Sequence, residues 1–387
     1  KNPVVIAGGG IHYSGALSEF DEFVSALKLP VGETQAGKGA LPWDHQQNMG
    51  SIGVTGAGST NRLCAETDLI IAVGTRLGDF ASGSRSLINP EAKLLSLNVA
   101  SFDAVKHKAV SLVGDAKLTL PMLTQALSGY EAAGAWVDRA ETERLAWHAA
   151  VEDATRDRGT SLPSDGEVVG AVNRSAGEQD IVVCAAGGLP GELQKLWRTR
   201  YSRGYHMEYG YSCMGYEIAG GVGTKMAAPD SEVYVMVGDG SYLMMNSEIA
   251  TSVMLGLKVI FVVLDNRGYG CIHRLQQFCG GPGFNNMLED CLTTEEGAPK
   301  TDFVAHGKAL GANGEKVTTI EELEAALVRA KASPKSYLIE IDTDPTIVTH
   351  SGGHWWDVAV AEVSEREQVR DARKVYEEHK ARQFKNL

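Results

Sequence analysis

A chain of 387 residues with 43% hydrophobic and 22% charged content is long enough for two or three domains with substantial cores. Its formal net charge of −13 speaks against a nucleic-acid or anionic-membrane partner, since both demand a basic face. No apolar run is long enough to span a bilayer, nothing resembles a signal peptide, and the six cysteines (Cys64, Cys184, Cys213, Cys271, Cys279, Cys291) include no CxxC pair, so they read as reduced thiols of a cytoplasmic protein.

Residues 1–128 alternate short apolar runs with helical patterns. Pro3–Ala7 is a strand candidate that ends in Gly8-Gly9-Gly10, residues 16–27 read as a helix, and Leu69–Val73 and residues 94–98 are further strands. Such alternation implies a parallel sheet with crossover helices. Residues 129–165 turn polar and Ala/Glu/Arg-rich, with Trp136, Leu145 and Ala149 at helical spacing, and read as a helical connector. A second α/β unit covers 166–345, with strand candidates at 181–185, 233–237, 259–264 and 337–341. Residues 346–387 form a tail, a Gly/His/Trp-rich turn followed by a charged helix. The fold class expected is α/β, two parallel-sheet domains with a C-terminal helical tail.

The chemistry concentrates in residues 232–270. One apolar run stops at Gly238-Asp239-Gly240, Ser241 is placed to cap a helix running to Leu255, and a second run stops at Asp265-Asn266, followed by Arg267-Gly268. The right-handed crossover of a βαβ unit leaves both strand ends on one edge of the sheet, so Asp239 and Asn266, 27 positions apart, come together in space. Mg²⁺ takes hard oxygen ligands and keeps phosphate oxygens. The Asp239 carboxylate, the Asn266 amide oxygen and the Gly268 carbonyl make a candidate set for it. Gly238 and Gly240 let a diphosphate approach the backbone at the helix start.

Gly238-Asp239-Gly240, 24 intervening residues and Asp265-Asn266 resemble the motif of thiamine-diphosphate enzymes such as pyruvate oxidases and acetolactate synthases. Those relatives carry Asn-Asn at the far end, where this chain has Asp265, and only the second position ligates the metal. The segment Tyr211-Ser212-Cys213-Met214-Gly215-Tyr216 is similar to the stretch beneath the cofactor. The resemblance implies that Met214 wedges the cofactor into its bent form, with Ser212 beside it, and that Leu189 and Pro190 lie near the diphosphate with Gly238, Gly240 and Ser241.

Longer stretches, including Glu33-Thr34-Gln35-Ala36-Gly37-Lys38-Gly39, Ala185-Ala186-Gly187-Gly188-Leu189-Pro190-Gly191 and Trp355-Trp356-Asp357-Val358, resemble the trihydroxycyclohexane-1,2-dione hydrolases of myo-inositol breakdown. This implies hydrolysis of a C–C bond that opens a hydroxylated ring, with thiamine diphosphate as electron sink and Mg²⁺ as its anchor. A carboligase or 2-oxoacid decarboxylase with the same cofactor grip is the alternative, and a non-catalytic cofactor-binding subunit is a third reading. In the family the activating glutamate sits on a pyrimidine-binding domain that comes first and builds the site at a homodimer or homotetramer interface. Here the chain opens in what resembles the middle domain, so that glutamate is expected outside these residues. Glu33 is not its substitute.

Two motifs are decoys. Gly32-x-x-x-x-Gly37-Lys38-Gly39 lacks the hydroxyl that a phosphate-binding P-loop ends on, and Gly8-x-Gly10 lacks the third glycine of a dinucleotide fingerprint, with Tyr13 in its place. Among polar residues, His206 and Glu208, just before the Met214 segment, and Tyr242 and Asn246, one turn apart after the metal motif, are the pocket candidates for a polyhydroxylated substrate. His45, His273, His350 and His354 read as solvated or structural.

Overall fold

A computed structural model describes residues 1–291 and 300–383. Six parallel strands form the first sheet: β1 (Pro3–Ala7), β2 (Val31–Glu33), β3 (Asn48–Ser51), β4 (Leu69–Val73), β5 (Lys93–Asn98) and β6 (Val110–Val113), in the order β3-β2-β1-β4-β5-β6. Six more parallel strands form the second: β7 (Ile181–Cys184), β8 (Tyr205–Met207), β9 (Val233–Gly238), β10 (Ile260–Asp265), β11 (Asn313–Val317) and β12 (Tyr337–Asp342), in the order β11-β12-β10-β9-β7-β8. The fold is the expected pair of doubly wound α/β sheets.

Inner strands such as β4, β9 and β10 read as unbroken apolar runs because helices cover both of their faces. Core clusters lie against the sheets, and the helix Gly134–Thr155 belongs to two of them. Trp136 packs into the first-sheet core, where its Nε1 donates to the Pro3 carbonyl at 2.9 Å, while Trp147 and Val151 pack into a second-sheet core. One connector thereby fixes both sheets.

Side chains between the two sheets complete the junction. Gln35 donates to the Pro190 carbonyl at 3.1 Å, and Lys38 Nζ and Ser51 Oγ both donate to the Gln194 carbonyl, at 2.9 and 2.8 Å. The tail returns to the first sheet. Gly353 donates to the Gly56 carbonyl at 2.7 Å, Trp356 Nε1 to Asp79 at 2.9 Å, and the Asp357 amide to Ser84 at 2.9 Å. A charged helix, Glu367–Ala381, follows.

One local expectation is corrected. The helix after Gly238 does not run unbroken to Leu255. It spans Asp239–Met244, breaks where Met245 adopts φ −150° and ψ 81°, and restarts as Glu248–Met254. Gly238 stands at the cap position, so Ser241 lies inside the first helix instead of capping it. The break accommodates the Met245 side chain against Gly215, where an added Cβ would sit 2.8 Å from Met245 Cβ.

Candidate cofactor site

A cleft of about 1890 Å³ opens at the carboxyl edges of both sheets. Its second-sheet wall is built by three chain turns: Gly187 to Pro190 after β7, Gly238 to Ser241 after β9, and Asn266 and Gly268 after β10. Leu264 of β10 pairs with Gly238 of β9, so Asp239 and Asn266 emerge side by side, as the βαβ argument requires.

Asp239 Oδ1 and Asn266 Oδ1 are both buried and without a hydrogen-bond partner. Two acceptor oxygens left this way on adjacent strand ends are costly unless a cation fills the gap. Burial foremost, then the nearby Asp265 carboxylate, pushes the Asp239 carboxyl up to about 7. The backbone is shaped to the same end. Gly268 has φ +146°, and an added Cβ would collide with the Asn286 carbonyl, so only glycine brings its backbone here. Arg267 and Ser212, both non-glycine, are held at φ +67° and +53° in loops that frame the cleft, a kind of strain that concentrates at functional sites. Asp265, Glu340 and Asp342 form a further acidic group, but Lys316 Nζ bridges Glu340 and Asp342 at 2.7 and 2.8 Å and supplies its own cation.

Gly238 and Gly187 open onto the cleft, with nothing within 4 Å of an added Cβ at either. Gly240 is different, since its Cβ would meet the Tyr269 ring at 2.7 Å and Met214 Cε at 3.6 Å. Met214 and Tyr269 thus stand over the Gly-Asp-Gly turn. The Met214 loop is held from outside the cleft by Glu208, which accepts the amides of Tyr211 at 3.0 Å and Cys213 at 2.8 Å. Ser212 Oγ donates to the Ala185 carbonyl at 2.9 Å, tying that loop to the turn after β7.

The pocket candidates divide. His206 lines the cleft with Nε2 2.7 Å from the Tyr216 hydroxyl, and burial lowers its pKa. Glu208 supports the loop and does not line the cleft. Tyr242 and Asn246 also fall outside it. Tyr242 is fully buried, edge-on to Phe303, with its hydroxyl 2.9 Å from His306 Nδ1, and Asn246 donates back to the Tyr242 carbonyl at 3.1 Å. The short helix turns Tyr242 into the core, and Asn246 lies half-buried in the break that follows it. His45 pairs with Asp21, His354 of the tail sits 3.0 Å from Ser86 Oγ, and His273 and His350 lie off the cleft.

The decoys have packing explanations. Cβ atoms at Gly8 and Gly10 would run into Gly74, so those glycines let two first-sheet loops touch. Lys38 is spent on Gln194, and burial together with Glu33 governs its charge. Glu33 is buried and accepts the Gly39 and Leu41 amides at 3.1 and 3.2 Å, a structural role.

Glu217 was not singled out by sequence. It lies 1% exposed beneath the cleft, and its only advance signal was an acid inside the apolar, glycine-rich helix Tyr216–Ala227. His12, Arg76 and Trp356 also line the first-sheet side.

Comparison with known proteins agrees with this geometry. Residues 1–123 match the central domain of thiamine pyrophosphate enzymes, and residues 185–341 match their C-terminal TPP binding domain. A protein named 3D-(3,5/4)-trihydroxycyclohexane-1,2-dione hydrolase from Geobacillus thermodenitrificans is 41% identical over 400 residues, covering 96% of this chain and 62% of its own length. Proteins of the same name from Bacillus cereus and Bacillus thuringiensis are 38% and 37% identical, each over 96% of this chain and 62% of theirs. The chain therefore spans less than two thirds of these relatives. It belongs to the thiamine-diphosphate-dependent enzymes, of which it carries the central and the C-terminal cofactor-binding domains.

Proposed function

We propose that the protein hydrolyses a C–C bond in a hydroxylated cyclohexane-1,2-dione, using thiamine diphosphate anchored through Mg²⁺ in the cleft of the second sheet. The observation that carries the cofactor half is the pair of unpartnered buried oxygens on Asp239 and Asn266. The substrate half rests on the relatives' name. Asp239, Asn266 and the Gly268 carbonyl would hold the metal, and Gly238, Gly240, Ser241, Leu189 and Pro190 would receive the diphosphate. Met214 and Ser212 would support the ring portion.

When bound, thiamine diphosphate supplies an electron sink for cleavage beside a carbonyl. The chain's own residues orient and desolvate. Met214 and Tyr269 pack over Gly240 of the Gly-Asp-Gly turn and narrow the space above it. His206, neutral through burial and paired with Tyr216, offers a hydrogen-bonding edge to a ring hydroxyl. We place the protein in the cytoplasm as a homodimer or homotetramer joined through a pyrimidine-binding domain. No helix among the described residues is long and apolar enough to cross a membrane.

Calorimetry tests the cofactor half. Asp239→Ala should abolish Mg²⁺-dependent binding of thiamine diphosphate while the circular dichroism spectrum stays that of the parent. Unchanged affinity would remove the metal assignment.

A further inference from the structure

Glu217 is the second residue of the helix Tyr216–Ala227 and is almost wholly enclosed. Its Oε1 accepts the Ala186 amide at 3.2 Å, and its Oε2 accepts the Gly215 amide at 2.8 Å. The Ser241 hydroxyl faces the same carboxylate and acts to lower its pKa. Among the described residues no Lys, Arg or His forms a salt bridge to it; N–H and O–H dipoles meet the charge instead. A buried carboxylate is expensive unless each lone pair finds a donor. The two amides that donate to it and the hydroxyl that faces it come from three separate places in the chain.

Those three places are the three parts of the site. Ala186 leads into Gly187-Gly188-Leu189-Pro190, the turn after β7. Gly215 follows Met214 and is fixed by its φ of +89° and by contact with Met245. Ser241 lies two residues beyond Asp239, on the helix after β9. One side chain therefore spans the diphosphate turn, the Met214 loop and the metal-bearing helix. Covalent connection does not set their mutual register, because β7 and β9 are separated in the chain by more than forty residues.

We infer that Glu217 is a positioning residue that locks the diphosphate turn, the Met214 loop and the Asp239 helix against one another so that all three face one ligand. The inference rests on the cofactor reading above. A carboxylate is required because both oxygens must accept. Glutamine has one acceptor, and its amide group would point donors at a backbone N–H. One of the two loops then loses its anchor while the fold keeps a side chain of the same size.

The test compares ligands that touch different numbers of these parts in the full-length protein. Inorganic pyrophosphate with Mg²⁺ needs the diphosphate turn and the metal helix. Thiamine diphosphate needs the Met214 loop as well. Glu217→Gln should weaken thiamine diphosphate by at least about tenfold, the loss of a charge-assisted hydrogen bond, and should weaken pyrophosphate distinctly less. Its melting temperature should stay within a few degrees of the parent, as expected for loss of about one hydrogen bond. Glu217→Asp keeps both acceptors and should recover part of the affinity.

Parent-like thiamine diphosphate affinity in Glu217→Gln would overturn the inference. So would an equal loss for both ligands accompanied by a large fall in melting temperature, which marks a purely structural residue. A parent protein that binds neither ligand would sink the cofactor reading and this inference with it. A parent that binds both, beside an unaffected variant, would sink the inference alone.

Discussion

Asp165 shows how individual side chains in the cleft trade stability for a charged, receptive surface. It lines the cleft with one carboxylate oxygen buried and unpartnered. Burial first, then the Glu192 carboxylate, pushes its carboxyl up to about 6 from an ordinary 3.8. A carboxyl whose folded pKa is raised favours the folded state only while protonated. Its contribution is present below pH 4 and is lost as the pH rises through about 6. Asp165→Asn removes that titration. In denaturant unfolding without ligand, the variant should match the parent near pH 4 and exceed it by on the order of 1–2 kcal/mol at pH 8, a figure reduced for partial solvent access. Parallel stabilities across that range would show that the carboxyl is not strained. Asp239 carries the same kind of burden more heavily, because burial and Asp265 both act against its charge. Carboxyls shifted this far by burial and a neighbouring charge are concentrated at functional sites.

The elements that carry the site differ in how plainly the sequence announced them. Strands β1, β4, β9, β10 and β12 were legible because, buried on both faces, they are near-continuous runs of apolar residues closed by turn residues. The short strands β2, β3, β6, β8 and β11 were not, since a three-residue Val-Gly-Glu or an Asn-Gly-Glu-Lys-Val carries no periodicity to read. The meeting of Asp239 with Asn266 followed from topology alone. The inward turn of Tyr242 and the placing of Asn246 in a helix break did not, because both depend on where the helix breaks, and Met245 there packs on Gly215, a contact between distant segments. Glu217 was hidden for the same reason, since one of its two amide partners, Ala186, lies 31 residues upstream on the far side of the Met214 loop. The loop that bears Met214 is the element whose function is most exposed to test. Held by Glu208 and Glu217, it keeps its path when Met214 is shortened. Met214→Ala should therefore lower turnover in the full-length protein by about tenfold or more, roughly 1.4 kcal/mol of barrier. It should change thiamine diphosphate affinity much less. Normal turnover would make Met214 an ordinary core residue.

At the scale of the whole molecule, one cleft is shared by two sheets. Its second-sheet wall has the glycine turns and the oxygen pair suited to a cofactor, and its first-sheet wall adds His12, Arg76 and Asp79 with Phe80 and Trp356. The tail braces that first-sheet wall, since Trp356 Nε1 donates to Asp79 and its ring packs edge-on to Phe80 at 5.8 Å. A small keto acid such as pyruvate has no hydroxyls with which to use such a surface, whereas a trihydroxylated ring does. A site whose polar groups are built for hydroxyls rejects analogues that lack them, because those groups are then left buried and unpaired. The full-length protein, supplied with thiamine diphosphate and Mg²⁺, should turn over trihydroxycyclohexane-1,2-dione on the order of 1000-fold faster, as kcat/KM, than plain cyclohexane-1,2-dione. It should release CO₂ from pyruvate at no comparable rate. Product analysis decides between the two chemistries: a ring-opened acid from the dione supports the hydrolase, while rapid decarboxylation of pyruvate or formation of acetolactate without ring opening would assign the same cofactor grip to a carboligase or decarboxylase.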